Sequence, residues 1–422
     1  MENRQPSGQI PIAVIIGRCA VRLWGLTGEE RLTRQLRAAG IASAIGGGDG
    51  ALCRRDREAI ASNGALLLRA DFLFDQRTLQ QMLSGPDTML EAADGEGRTV
   101  LVAACVAAAH VAAVMEAMVE GGPAPHLEGV TRQSAAELRS SYVAGVLKAD
   151  RPLLLPIRRE RVAELESYLY AASYKGVTDL VTKWVWPLPA MQVVRWCTRY
   201  RITPNAVTTT GLALVIAATW LFAHGYFAAG LVPAWLMTFL DTVDGKLARV
   251  TVTSTRFGHY LDHGTDLVHP PLWYAAWGAG VVGGIQHLEV LTPTLLWILA
   301  GYVAGRIAEG VFKHLVAGFS MFTWQPFDSY FRLVTGRRNP NLILLTASVM
   351  VGDPAAGLTA VAVWTVVSTL ILIVRTCQGM VVRLQGRPMS PWLEAFGPAG
   401  GHRPRYAQPF VPDGAALARL AR

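Results

Sequence analysis

Paired cysteines are missing from this chain. Its five, Cys19, Cys53, Cys105, Cys197 and Cys377, lie far apart, which excludes a disulfide framework and a zinc site built on close Cys pairs. Charge is scarce as well: Asp, Glu, Lys and Arg make up 17% of the 422 residues, against about 25% in an ordinary soluble domain. The N-terminal stretch MENRQPSGQIP has no apolar run, so no signal peptide is expected and membrane insertion should be internal. Tryptophan is nearly absent from the first part, where Trp24 alone precedes Trp184, although the chain holds 12. What is plentiful is apolar: 51% of residues are hydrophobic and the mean hydropathy is +0.30. The formal net charge is +8. Disorder, a coiled coil and a collagen-like repeat are excluded, a wholly soluble protein is disfavoured, and no nucleic acid is expected as a partner.

The chain divides near residue 175. Residues 1–155 alternate short apolar runs with helical patterns: 12–16, 65–68 and 100–104 read as strands, and 29–39 and 75–83 as helices, with an Ala-rich helix running to 119. That alternation predicts an α/β domain with a Rossmann-like parallel sheet. Residues 156–200 read as a helical linker ending in an amphipathic helix with Trp184, Trp186, Trp196, Lys183, Arg195 and Arg199. Such a helix either lies in the lipid headgroup layer or packs ordinarily, with a break at Pro187 and Pro189.

Residues 202–240 contain no Asp, Glu, Lys or Arg. That length suits two spans of about 20 residues, with a turn at 223–226. Uncharged runs at 267–285, from 292 onward, at 342–352 and at 357–374 raise the expected number of transmembrane helices to six, in a membrane domain at 201–379. The loops near His224 and at 283–291 and 352–357 carry no Lys or Arg, whereas the opposite set holds Arg201, Lys246, Arg249, Arg256, Lys313, Arg332, Arg337, Arg338 and Arg375. Positive charge stays inside, so a multi-pass protein with a cytoplasmic N-terminal domain and site is predicted. Residues 380–422, rich in Gly, Pro and Arg, read as a surface or partly disordered tail.

The informative segment is 241–266, DTVDGKLARVTVTSTRFGHYLDHGTD. Asp241 and Asp244 are three apart and Asp262 and Asp266 four apart, so on helices each pair shares a face. One pair ends the second span and the other opens the third. Antiparallel neighbours would bring the four carboxylates together at the membrane boundary. Such a cluster needs cations, and hard oxygen donors favour Mg²⁺, Mn²⁺ or Ca²⁺. Gly245 and Gly258 remove bulk where a ligand or helix approaches, and Arg249 is suited to phosphate oxygens.

This segment resembles the signature of the CDP-alcohol phosphotransferase (phosphatidyltransferase) family: D-x-x-D-G-x-x-A-R, eight residues, G-x-x-x-D-x-x-x-D. All fixed positions match, through Asp241, Asp244, Gly245, Ala248, Arg249, Gly258, Asp262 and Asp266. The TPN tripeptide at 203–205 is also similar, and equally suits a helix N-cap. The resemblance covers about residues 175–379. It implies a six-helix membrane enzyme of phospholipid or polyol-phosphodiester biosynthesis. An acceptor hydroxyl attacks the phosphorus of a CDP-alcohol, CMP leaves, and two divalent ions, Mg²⁺ or Mn²⁺, assist. By the same resemblance Asp241, Asp244, Asp262 and Asp266 bind metal, Asp266 is the general base, and Asp241, Gly245, Ala248, Arg249 and Gly258 line the CDP site. A catalytically silent membrane scaffold is the alternative from another class.

Other constellations leave two readings open. His259 and His263 are extra metal ligands or interfacial polar residues. Arg306, Lys313 and Arg337, with Arg332 and Arg338, bind a phosphorylated acceptor or anchor the chain, in which case Arg306 pairs with Glu309. Gly301 and Gly305 serve a homodimer or internal packing. In the N-terminal domain, 17–27 and 65–75 resemble fragments of sugar-phosphate nucleotidyltransferases, with Asp71 at the metal-binding position and Arg22 in the loop. The Gly-x-Gly is replaced by Arg18, Cys19 and Ala20, and the Pro-Lys by Glu30 and Arg31. The domain order resembles bifunctional inositol-phosphate cytidylyltransferase/CDP-inositol transferases. The expectation is a degenerate first domain; the alternative is one that makes the CDP-alcohol from CTP.

Overall fold

A computed structural model of the chain describes residues 12–41, 43–46, 54–85, 87–137, 141–143, 147–150, 154–253, 256–396 and 404–411. The chain forms two compact units, one drawn from residues up to 141 and from 150–172, the other from 142–149 and 173–413.

The first unit runs β1 (Ile12–Ile16), α1 (Gly28–Ala38), β2 (Ser43–Gly46), α2 (Arg54–Asn63), β3 (Ala65–Arg69), β4 (Phe72–Phe74), α3 (Gln76–Ser84), β5 (Thr88–Ala93), β6 (Thr99–Val106), α4 (Ala108–Glu120) and β7 (Thr131–Ser134). The short strands β8 (Ser141–Val143) and β9 (Lys148–Asp150) fall mostly in the second unit, and β10 (Leu154–Pro156) and α5 (Val162–Ala172) return to the first. Six strands form one sheet in the order β2-β1-β3-β6-β5-β7. Ala13, Ile15, Leu66, Leu68 and Val102 face a core with Leu32 and Leu36 of α1 and Leu79 of α3. Val14, Ile16, Leu67 and Leu101 face the other side, with Val111 and Val114 of α4. Burial on both faces is why these strands read as unbroken apolar runs.

The expected parallel sheet is corrected to a mixed one. β1 is parallel to β2 and β3, and β7 is parallel to β5, but β6 runs antiparallel to β3 and β5. The reason is a hairpin. Asp94 Oδ1 accepts the N–H groups of Glu96 at 2.8 Å and Arg98 at 2.9 Å, and Gly97 takes φ +82°. A turn this short can join only antiparallel strands.

The second unit is helical: α6 (Pro187–Arg199), α7 (Pro204–Ala223), α8 (Phe227–Val250), α9 (Arg256–Val281), α10 (Thr292–Val311), α11 (Pro326–Val334), α12 (Arg338–Met350) and α13 (Pro354–Leu384). Thr203 caps α7 through its side chain, which accepts from Ala206 N at 3.3 Å, and Pro204 opens the helix where its missing N–H costs nothing. Among the described residues, three segments are long and apolar enough to cross a membrane: Pro204–Ala223, Ile285–Val316 and Pro354–Leu384. Helices α8 and α9 carry the aspartates instead, and α12 has 13 residues. Trp273 and Trp277 of α9 and Phe222 of α7 form the centre of the bundle. Ile216, Trp220, Leu296, Trp297, Val363 and Leu370 point outward and are exposed, an apolar exterior suited to lipid. On α6 Trp196 and Tyr200 are exposed and Val194 and Cys197 buried, so the amphipathic pattern has one packed and one open face.

The tail is a second correction. Leu393, Ala407 and Phe410 are fully buried in a cluster with Phe312, Trp324 and Phe331. Tyr330 donates to the Tyr406 carbonyl at 3.0 Å, and Trp392 donates to Ser329 Oγ at 2.9 Å. A few aromatic anchors fix a segment that has no periodicity of its own.

Candidate active site

Helices α8 and α9 present their aspartates to one cavity. Asp241, Asp244 and Asp266 line a space of about 260 Å³ with Thr208, Gly211, Met237 and Thr265. The wall is open at Gly211, where a Cβ would meet nothing within 4 Å. Asp244 is 6% exposed and accepts from Thr208 Oγ1 at 2.7 Å. Between the other two carboxylates stands Arg338, the first residue of α12. Its Nη1 donates to Asp266 Oδ1 at 2.6 Å, and its Nη2 pairs with Asp241. The side chains of His259, Asp262 and His263 lie outside the described residues.

A second cleft, about 420 Å³, adjoins the first. Its walls are Asp179, Asp266, Pro270, Arg306, Arg332, Arg337, Arg338, Asn339 and Pro340. Four guanidinium groups thus face one space, and Asp266 borders both cavities. Arg337 pairs with Glu309, so the anticipated Arg306–Glu309 pair is corrected: Glu309 reaches across to the residue before α12. Arg306 instead lies over the Tyr302 ring at 5.2 Å. Arg332 Nη1 has no hydrogen-bond partner among the described residues, and burial lowers its pKa to about 10. Asp179 is held by Asn339 Nδ2 at 2.9 Å and Thr182 N at 3.0 Å. Burial pushes its carboxyl up, but the charge of Arg332 and these hydrogen bonds outweigh it and leave the pKa below the ordinary range.

Of the residues singled out in the sequence, Asp241, Asp244 and Asp266 meet in the first cavity, and Arg306 and Arg337 in the second. Lys313 is exposed and lines neither. Gly245, Ala248 and Arg249 continue along α8; a Cβ on Gly245 would come within 3.1 Å of Arg249 Nη2, so this glycine leaves room for the guanidinium. Gly258 lies in the first turn of α9. Thr208, Gly211, Asp179 and Asn339 escaped the sequence reading. No local pattern marks them, and only the fold brings them to the cavities. In the first unit, Asp71 is gripped by Arg69 through two hydrogen bonds of 3.0 and 2.7 Å.

Residues 201–334 match the family described as CDP-alcohol phosphatidyltransferase. The chain is 29% identical over 124 residues to cholinephosphotransferase 1 of Danio rerio, which is 27% of this chain and 31% of that protein. A phosphatidylinositol phosphate synthase of Mycobacteroides abscessus is 38% identical over 116 residues, 26% of this chain and 50% of the relative. One from Streptomyces avermitilis is 36% identical over 106 residues, 25% of this chain and 43% of the relative. The chain spans half or less of the length of these curated relatives. The aspartate signature, its cavity and this match to the CDP-alcohol phosphatidyltransferase family all fall in the same segment, 201–334.

Proposed function

We propose that this chain is an integral-membrane transferase that moves the substituted phosphate of a CDP-alcohol onto an acceptor hydroxyl, with CMP leaving. The observation that carries the reading is the position of Asp266, on the border of the carboxylate cavity and the arginine cleft. A base must reach the acceptor hydroxyl while that hydroxyl faces the donor phosphorus. As the new O–P bond forms and the bond to CMP breaks, the hydroxyl proton passes to the Asp266 carboxylate. A carboxylate is a weak base, so it takes the proton late, once the attacking oxygen has become acidic.

Asp241, Asp244 and Asp266 offer hard oxygen donors to one cavity, a set that fits Mg²⁺ or Mn²⁺, and Asp262 completes the signature. Two such ions, when bound, would neutralise the diphosphate. Gly211 leaves room for the donor beside them, and Gly245, Ala248, Arg249 and Gly258 extend its site. The arginine cleft suits an acceptor that carries a phosphate of its own. The unpartnered Nη1 of Arg332 favours this over an uncharged acceptor, because a buried donor left unsatisfied is costly. A phosphorylated polyol acceptor is in keeping with the name of the phosphatidylinositol phosphate synthases. Six helices cross the bilayer in this reading, with the site toward the cytoplasm.

The first unit is read as a degenerate nucleotidyltransferase-like domain. In its 17–27 loop the N–H of Cys19 donates to Glu29 Oε1 and the N–H of Trp24 to Glu166 Oε1, both at 2.8 Å. Carboxylates take up donors that a phosphate cradle would offer, and the Trp24 side chain is buried in the loop.

The test uses the full chain in detergent, with CDP-diacylglycerol, inositol phosphate and Mg²⁺ or Mn²⁺. CMP release is expected, and Asp266→Asn should lower it by at least about a hundredfold. Release that survives the substitution rejects the assigned base.

A further inference from the structure

Helix α9 contains Pro270 and Pro271, one turn beyond Asp266. An α-helical N–H bonds to the carbonyl four residues back, and proline has none. The carbonyls of Asp266 and Leu267 therefore lack their helical donors. Within a bilayer such groups must find partners from side chains or neighbouring helices. Here a single group serves both. The Tyr302 hydroxyl, on α10, lies 3.3 Å from the Asp266 carbonyl oxygen and 3.1 Å from that of Leu267. The preceding carbonyl, Thr265, accepts from His269 Nδ1 at 2.7 Å. The same tyrosine carries Arg306 one turn along α10, with the guanidinium over its ring at 5.2 Å and Nη2 at 3.5 Å from its hydroxyl.

We infer that Tyr302 is a positioning residue of the transfer reaction: its hydroxyl fixes the proline-interrupted backbone that carries Asp266, and its ring seats Arg306 on the acceptor cleft. The inference rests on the function proposed above and deepens it. The two roles are separable. Tyr302→Phe removes the hydroxyl, and with it the backbone support and the 3.5 Å contact of Arg306 Nη2, but keeps the ring over which the guanidinium lies. Tyr302→Leu removes both.

Steady-state CMP release by the full chain, measured well below its thermal midpoint, distinguishes these roles. Tyr302→Phe should lower kcat by about ten- to a hundredfold, the scale of a misplaced catalytic group, and should raise KM for the phosphorylated acceptor less than Tyr302→Leu does, since the ring under Arg306 is kept. Tyr302→Leu should lower kcat and raise that KM further. Unaltered kcat in Tyr302→Phe, or equal rises in acceptor KM in the two variants, overturns the assignment. A second measurement is independent of turnover. Pro270→Ala with Pro271→Ala restores the two N–H donors, so in that background Tyr302→Phe should no longer lower the thermal midpoint. An equal drop in both backgrounds shows that the hydroxyl does not serve these carbonyls. Should the unaltered chain release no CMP, the catalytic reading fails, and the thermal comparison still decides the structural half of the inference.

Discussion

Arg338 shows how a residue remote in sequence sets the chemistry of a motif. It reaches Asp266 and Asp241 from 72 and 97 positions away, and its side chain is 16% exposed. Two carboxylates sharing a half-buried cavity repel unless a cation stands between them, and Arg338 bonds to both. Replacement with Gln removes that shared counter-charge. Arg338→Gln should destabilise the chain by about 2 kcal/mol, at the low end for breaking a buried pair because Asp266 is partly open to solvent. Mg²⁺ should then raise the thermal midpoint of the variant more than that of the unaltered chain, relative to EDTA. Equal shifts would contradict this role. The carboxylates themselves were legible in the sequence because spacings of three and four put them on helical faces. Their counter-charge was not, since no local pattern links α12 to α8 and α9. Nor was the service Tyr302 performs for α9, although the two prolines announced that carbonyls there needed partners.

At the scale of elements, the Gly301–Gly305 pair is spent inside the chain. A Cβ on Gly301 would come within 3.1 Å of Thr365 Cγ2, and one on Gly305 within 3.2 Å of Thr369 Oγ1. Thr369 Oγ1 donates to the Gly301 carbonyl at 2.7 Å. The glycine stripe therefore joins α10 to α13, and of the two readings left open by the sequence it is internal packing that the structure contains. Gly301→Val should cost about 1–3 kcal/mol by overpacking, read as a lower thermal midpoint in detergent. A midpoint that does not move would show that the two helices can separate freely here. Strands β1, β3 and β6 and helix α1 were legible from apolar runs and amphipathic spacing. β5 was not: its sequence, TMLEAA, lacks β-branched alternation. Helices α8 and α9 were placed by their lack of charge on one side and their aspartates on the other.

For the molecule as a whole, the two units differ in what their candidate site residues already bind. In the first unit the loop donors are taken by Glu29 and Glu166, and Asp71 is taken by Arg69. In the second, Arg306, Arg332, Arg337 and Arg338 line one cleft together with Asp266. The full chain is accordingly expected to release no pyrophosphate from CTP with an inositol or sugar phosphate. Pyrophosphate release that is lost in Asp71→Ala would reverse that assignment. The sequence exposed this asymmetry only in part. It showed a departed glycine loop, but not that carboxylates 142 positions distant, such as Glu166 beside Trp24, had moved onto it.

The cluster beneath the tail bears on biogenesis. Val177 and Phe410 share it with Phe312 and Phe331, and they flank every bilayer-crossing helix in the order of translation. Val177 leaves the ribosome before the first of those helices, Phe410 after the last. The cluster can therefore close only after synthesis has passed Phe410, when the helices between have already left the ribosome.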